Sequence, residues 1–145
     1  MNGIAAAIML AAGLTFLHGC AGVKPSGQTS SGQMTPAETA GIKIERIHPT
    51  TAGQMLDMRY RVTDPEKAKH ALKRGAQVYL VDQASGMKLQ VPDMAMVGRL
   101  MQHPDQTGGD RIFWMMFGNP GAMVKPGARV TLVIDDIRIR DIVVE

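Results

Sequence analysis

The chain has 145 residues, of which 45% are hydrophobic and 20% are charged, and its formal net charge is +3. One domain of ordinary size fits this length. So mild a positive charge does not favour nucleic-acid binding, which normally requires a concentrated basic surface. Cys20 is the single cysteine and therefore excludes a disulfide within the chain.

The N-terminal residues follow the pattern of a bacterial lipoprotein signal. Residues 4–17 are uncharged and almost entirely apolar. This run is shorter than the roughly 20 residues that span a bilayer, but it suits the hydrophobic part of a signal peptide. It leads into Leu17-His18-Gly19-Cys20, which resembles a lipobox because an aliphatic residue lies three places before the cysteine and a small residue lies directly before it. Two features depart from the pattern: the polar His18, and a first ten residues without Lys or Arg.

The resemblance to a lipobox implies removal of residues 1–19 and acylation of Cys20, with palmitate among the acyl chains. Two or three such chains would anchor a protein to a membrane effectively permanently. Ala21, rather than Asp, follows the cysteine, which resembles the signal for passage to the bacterial outer membrane, with the domain facing the periplasm. The alternatives are an ordinary secretory signal followed by an unused thiol, and an N-terminal anchor.

Residues 20–40 are predicted to be the lipidated cysteine and a flexible linker, and residues 41–145 to be the folded domain. The linker is rich in Gly, Ser, Thr and Gln and contains two prolines. Such a composition cannot bury enough apolar surface to offset the entropy lost on ordering.

Seven short runs within residues 41–145 have the alternation or the apolar content of β-strands. The first of them changes its alternation near Arg46. Residues 94–101 are compatible with either a strand or an irregular crossing. One short helix is predicted over residues 65–74, with Asp64 as its cap, Pro65 at its first position and Gly75 after its end. The predicted strands cover residues 42–49, 56–62, 78–83, 88–91, 112–117, 130–134 and 137–144.

Three segments resemble uncharacterised bacterial envelope proteins with an immunoglobulin-like fold. They are residues 54–65 (QMLDMRYRVTDP), 79–92 (YLVDQASGMKLQVP) and 118–134 (GNPGAMVKPGARVTLVI). The resemblance implies an all-β protein with a single immunoglobulin-like β-sandwich of about seven strands and one short crossover helix. It implies no activity, because one fold serves many functions.

The strand over residues 112–117 is apolar on both faces, and residues 130–134 are nearly so. Such runs are typical of central strands that are covered on both sides. The space between two sheets accommodates only one face of each strand. We expect the face of Ile112, Trp114 and Met116 to be core, because a buried indole contributes heavily. The other face should lie under the helix or form a protein-docking surface made of Phe113, Met115 and Phe117.

Nothing in the sequence favours catalysis. The only thiol is assigned to the lipid anchor, and no serine has the context of a nucleophile elbow. His48, His70 and His103 are scattered among a strand end, a basic helix and a loop. The carboxylates flank turns or alternate on strands: Asp57, Asp82, Asp93, Asp135 and Asp136.

Methionine is the unusual residue type, with 12 in the chain against 3 phenylalanines. Its flexible thioether can fill irregular gaps in a core. The alternative is a copper site, since thioethers select Cu(I), and the best local cluster is Met94, Met96, Met101 and His103.

The predicted helix is basic and has two possible roles. Its cations would either contact lipid phosphates or form a solvated face: Lys67, Lys69, Lys73 and Arg74.

Together these patterns predict an outer-membrane-anchored lipoprotein that acts as a non-enzymatic binding or accessory module of the cell envelope. Its expected partners are the membrane, through the lipid anchor, and another envelope protein. No cofactor and no nucleic acid are expected. The alternative is a periplasmic Cu(I)-binding protein that uses the methionine cluster.

Overall fold

The computed structural model describes residues 34–104 and 111–145. They belong to one compact unit, residues 32–145. The signal peptide 1–19, Cys20 and most of the predicted linker lie outside the described residues. The described elements are α1 (Pro36–Ala40), β1 (Ile42–Thr50), β2 (Met55–Val62), α2 (Pro65–Ala71), β3 (Val78–Asp82), β4 (Lys88–Gln90), β5 (Asp93–Met94), β6 (Gly98–Arg99), β7 (Ile112–Gly118), a 3-10 turn (Pro120–Ala122), β8 (Arg129–Ile134) and β9 (Ile137–Val143).

The prediction of an all-β protein is confirmed, and a strand is found at each of the seven predicted places. The predicted change of alternation in β1 is confirmed as an irregularity in its pairing between Ile44 and Arg46. The ambiguous stretch 94–101 contains the short hairpin β5–β6. The predicted helix corresponds to α2, where the Asp64 side chain accepts a hydrogen bond from the Lys67 backbone N–H and Pro65 occupies the first turn. The helix is shorter than predicted, because it ends at Ala71 with Leu72 as its C-cap and does not continue to Gly75.

Folded structure begins earlier than residue 41. Residues 36–40 form α1, capped by Thr35, whose hydroxyl accepts a hydrogen bond from the Glu38 backbone while the Glu38 carboxylate accepts one from the Thr35 backbone. Ala40 is fully buried in the core. The end of the predicted linker is therefore part of the domain, because the capping box satisfies backbone groups of α1 and the burial of Ala40 attaches the helix to the core.

The strands form two larger antiparallel sheets and one small one. The three-stranded sheet has the order β1-β2-β7, the four-stranded sheet the order β4-β3-β8-β9, and β5 pairs with β6. An isolated bridge between Met101 and Met115 continues the three-stranded sheet beyond β7. At the other edge of that sheet, the Glu145 backbone N–H donates to the Ile47 carbonyl at 2.8 Å.

One hydrophobic core receives side chains from both larger sheets. As predicted, β8 is central, between β3 and β9, and is buried on both faces: Val130, Leu132 and Ile134 join the core, while Thr131 and Val133 are buried on the opposite side.

The prediction for the two faces of β7 is wrong. Phe113, Met115 and Phe117 are buried in the core, whereas Ile112 is exposed and Trp114 is partly exposed. The reason is the pairing with β2, because directly paired residues of antiparallel strands lie on the same face. Phe113 pairs with Tyr60 and Met115 pairs with Met58, whereas Trp114 pairs with Arg59. The polar alternation of β2 thus assigns the indole to the outside.

Gly41 joins α1 to β1 at a position where another residue would not fit. Its φ of 65° is left-handed, and its carbonyl accepts hydrogen bonds from the Thr63 and Asp64 backbones. A Cβ built here would lie 2.5 Å from the Asp64 carbonyl oxygen and 2.9 Å from the Ala68 nitrogen, both of which are backbone atoms. The close approach of α1 to α2 therefore requires glycine at this position.

We predict that Gly41→Ala lowers the free energy of unfolding by about 3 kcal/mol, from the left-handed conformation and the backbone clash together. The matched control is Gly75→Ala, where φ is also positive at 93° but nothing lies within 4 Å of the added Cβ. It should cost only about 1 kcal/mol. Denaturant unfolding of both variants measures the difference, and equal losses would contradict the proposed clash.

Candidate functional site

The candidate site is the outer face of the three-stranded sheet, the side that points away from the core. Three cross-strand rows build it, each with one residue from β1, one from β2 and one from β7. The rows are Lys43–Arg61–Ile112, Arg46–Arg59–Trp114 and His48–Asp57–Met116.

The β7 column of the outer face is apolar. Ile112 is 44% exposed, and Trp114 and Met116 are partly exposed. Large apolar side chains on an open sheet face lose contact with water only when another surface covers them. Trp and Met, together with Arg, are also the residue types enriched where protein interfaces form.

The remaining two columns of the outer face carry more positive than negative charge. The cations are Lys43, Arg46, Arg59 and Arg61, and the carboxylates are Glu45 and Asp57. Asp57 Oδ2 accepts hydrogen bonds from Arg59 Nε at 3.0 Å and Nη2 at 2.6 Å. Glu45 lies 3.4 Å from Lys43 Nζ and 3.1 Å from Arg61 Nε. Arg46 is exposed.

Two buried polar atoms of the outer face have no hydrogen-bond partner among the described residues. They are His48 Nδ1 and Asp57 Oδ1, and the two residues are direct cross-strand partners. Leaving a buried polar atom unpaired typically costs about 1–3 kcal/mol. His48 and Asp57 lie in the same row as Met116, so polar groups adjoin the apolar side chains of β7 at this end of the outer face.

The residues predicted as a docking face, Phe113, Met115 and Phe117, do not form one, since they are core residues. A docking surface on this strand would therefore be formed by its opposite side, which carries Ile112, Trp114 and Met116. A signal for this was present in the sequence: the alternation of Asp57, Arg59 and Arg61 along β2. This alternation shows which side of β2 faces outward, but it identifies the outward side of β7 only when the pairing of β7 with β2 is known.

The predicted copper cluster is spread over different environments. Met96 is 96% exposed, whereas Met101 is buried and bridges to Met115. His103 Nδ1 lies 2.8 Å from the Leu72 carbonyl oxygen. β5 ends at Met94, so that Met94 and Met96 do not lie on one strand. Copper binding by Met94, Met96, Met101 and His103 stays a prediction.

Among the carboxylates and histidines considered for catalysis, His48 and Asp57 are cross-strand partners, and His70 lines a cleft together with Asp135 and Asp136. Asp82 is buried at the end of β3, where hydrogen bonds from the Ser85 hydroxyl and backbone lower its pKa. Asp57 is paired with Arg59, and His70 is exposed on α2. Within residues 34–104 and 111–145, no group of three or more His, Cys, Asp or Glu side chains is arranged to hold a metal ion.

We predict that Phe113→Ala destabilises the protein by about 3–5 kcal/mol, because it removes a large core side chain. Trp114→Ala should cost only about 1 kcal/mol, because the indole is partly exposed and leaves no closed cavity. The two variants change neighbouring positions of one strand and control for each other. Denaturant unfolding provides the measurement, and a larger loss for Trp114→Ala would contradict the assignment of faces.

Comparison with protein-family models, curated proteins and solved structures finds no match for this chain. No helix in the part of the chain that the structure describes has the length and apolarity needed to cross a membrane. The outer face, with its row of Arg46, Arg59 and Trp114, is therefore the feature from which a function must be argued.

Proposed function

We propose that this protein is an outer-membrane-anchored lipoprotein whose immunoglobulin-like β-sandwich serves as a non-enzymatic docking module of the cell envelope. The lipobox-like sequence Leu17-His18-Gly19-Cys20 supports the anchor. The single observation that carries the docking function is the outer face, where Trp114 lies in register with two arginines on a partly exposed side of the sheet.

The strand order supports the immunoglobulin-like proposal. Constant-type immunoglobulin domains have the sheets A-B-E-D and C-F-G. Lettering the seven strands of the two larger sheets in chain order gives A-B-E for β1-β2-β7 and D-C-F-G for β4-β3-β8-β9. The two arrangements differ only in the fourth strand, which pairs here with the third strand instead of the fifth.

The outer face is complementary to an envelope protein that has an acidic surface around an apolar patch. The excess of cations over carboxylates attracts negative charge, and such complementarity accelerates association and excludes basic partners. Trp114 and Ile112 supply the apolar area that a partner can cover. Arginine and tryptophan are the residue types that most often dominate binding energy at such surfaces.

The anchor is tested by Cys20→Ser. We expect this variant to lack acyl chains and to keep residues 1–19, because the lipoprotein peptidase requires the lipidated cysteine. Mass spectrometry of the protein isolated from membranes measures both effects. A wild-type protein whose N-terminus lies elsewhere and carries no acyl mass would overturn the anchor without affecting the docking proposal.

The docking function is tested by photo-crosslinking in isolated envelopes, with a photoreactive amino acid placed at position 112. We expect a covalent adduct whose yield falls as salt is added, because charge pairing is screened. The yield should fall by about tenfold in Arg46→Glu, which places a negative charge opposite the acidic partner.

The matched control places the same photoreactive group at Val143, which is 47% exposed, similar to Ile112 at 44%, but lies on β9 of the other sheet. This position should give no adduct with the same partner. An adduct of equal yield at both positions, or one that Arg46→Glu leaves unchanged, would contradict docking on the outer face.

A further inference from the structure

The hairpin β5–β6 ends in an apolar tip, residues 94–97. Met94 pairs with Gly98, and the Val97 backbone N–H donates to the Met94 carbonyl at 3.1 Å, which closes the turn. Met94 is 49% exposed, Val97 73% and Met96 96%. Three large apolar side chains on one four-residue turn are therefore presented to the surroundings instead of to the core.

A basic cleft of about 260 Å³ lies beside the chain segment to which the base of the hairpin is hydrogen-bonded. It is lined by the end of α2 and the turn after it, together with the segment that follows the hairpin. The lining residues are Lys69, Leu72, Lys73, Arg74, His103 and Pro104.

Two hydrogen bonds hold the hairpin against the chain segment that carries the basic cleft. Arg99 Nη1, at the base of the hairpin, donates to the Ala76 carbonyl at 2.8 Å. His103 Nδ1 lies 2.8 Å from the Leu72 carbonyl oxygen. These contacts bracket residues 73–75, so the cations of this turn lie next to the base of the hairpin that carries the apolar tip.

Positive charge predominates in the lining of the basic cleft, and the nearest carboxylates from another element are Asp135 and Asp136, which line a neighbouring cleft with Lys73. Asp93 is the acidic residue next to the tip, and it pairs across the hairpin with Arg99. The acidic residues of α2 lie in its first turn or at its cap, at the end away from the cleft, where Asp64 pairs with Lys67 at 3.3 Å. The cleft itself combines three cations with an imidazole and contains no carboxylate among its lining residues.

We propose that the apolar tip and the basic cleft together form a contact site for the surface of an anionic phospholipid bilayer. The cleft receives a lipid phosphate, and Met96 and Val97 enter the boundary between headgroups and acyl chains. Apolar side chains beside clustered cations are the combination that binds such an interface. A protruding turn suits a deformable bilayer, whereas a protein partner would need a matching socket.

This inference does not depend on the lipid anchor, because the tip and the cleft lie in the folded unit. The test uses residues 21–145, which retain the whole compact unit 32–145 and lack Cys20. Co-sedimentation is measured with vesicles of phosphatidylcholine alone and of phosphatidylcholine mixed with phosphatidylglycerol. We expect binding only to the anionic vesicles, weakening as salt is added.

Two double variants separate the parts of the site. Met96→Ser with Val97→Ser removes the apolar tip, and Lys73→Gln with Arg74→Gln removes two cations of the cleft. Each should weaken binding to anionic vesicles by about tenfold, because each removes one of the two required contributions. Thermal unfolding checks that the variants fold, which the exposure of all four residues favours.

The matched controls are Met123→Ser, which changes a methionine that is 62% exposed elsewhere, and Arg138→Gln with Arg140→Gln on β9. Both should bind vesicles like the wild type. Equal loss in the controls would show an unspecific charge effect and overturn the site. If the tip variant still bound vesicles and inorganic phosphate displaced the protein from them, the cleft would be a site for free phosphate instead of a membrane contact. Absence of any vesicle binding by the wild type would overturn the proposal outright.

Discussion

The register between β2 and β7 is the constraint on which the rest of the structure depends. Because paired residues of antiparallel strands share a face, the alternation of one strand is imposed on its neighbour. From Leu56 to Val62, β2 alternates strictly between apolar and charged residues, whereas β7 is apolar at every position from Ile112 to Phe117. The alternation of β2 therefore decides which side of β7, which has no alternation of its own, faces the core.

Tyr60 fixes this arrangement from the inside. Its ring stacks on Phe113 with the centroids 5.5 Å apart, and its hydroxyl donates to the Gln102 carbonyl at 2.7 Å. Burial raises the pKa of the Tyr60 phenol well above its usual range, so the group remains a neutral donor. One side chain thus joins β2, β7 and the segment that continues the sheet. With the Phe113 side of β7 held in the core in this way, Trp114 is left to the outer face.

The methionines show how one residue type serves two purposes in one fold. Met58, Met101 and Met115 are buried, which agrees with the use of a flexible thioether to fill a core. Met94 and Met96 are exposed on a hairpin whose base is held by Arg99. The exposed pair is not part of the core, and its apolar character agrees with the bilayer contact proposed for the hairpin.

The sequence by itself determined the elements of the fold: strands at the seven predicted places, the helix that begins at Pro65, the irregularity near Arg46 and the burial of β8 on both faces. Each of these follows from local chemistry, such as alternation, capping or turn residues, which acts within a few positions of the chain. The start of the domain was misplaced, because α1 depends on a capping box at Thr35 and on the contact of Gly41 with α2. Only the tertiary structure decided that Phe113 faces inward and Trp114 outward. The local sequence of β7 has the same apolar character on both faces, and the choice between them is made by a strand that lies about fifty residues earlier in the chain.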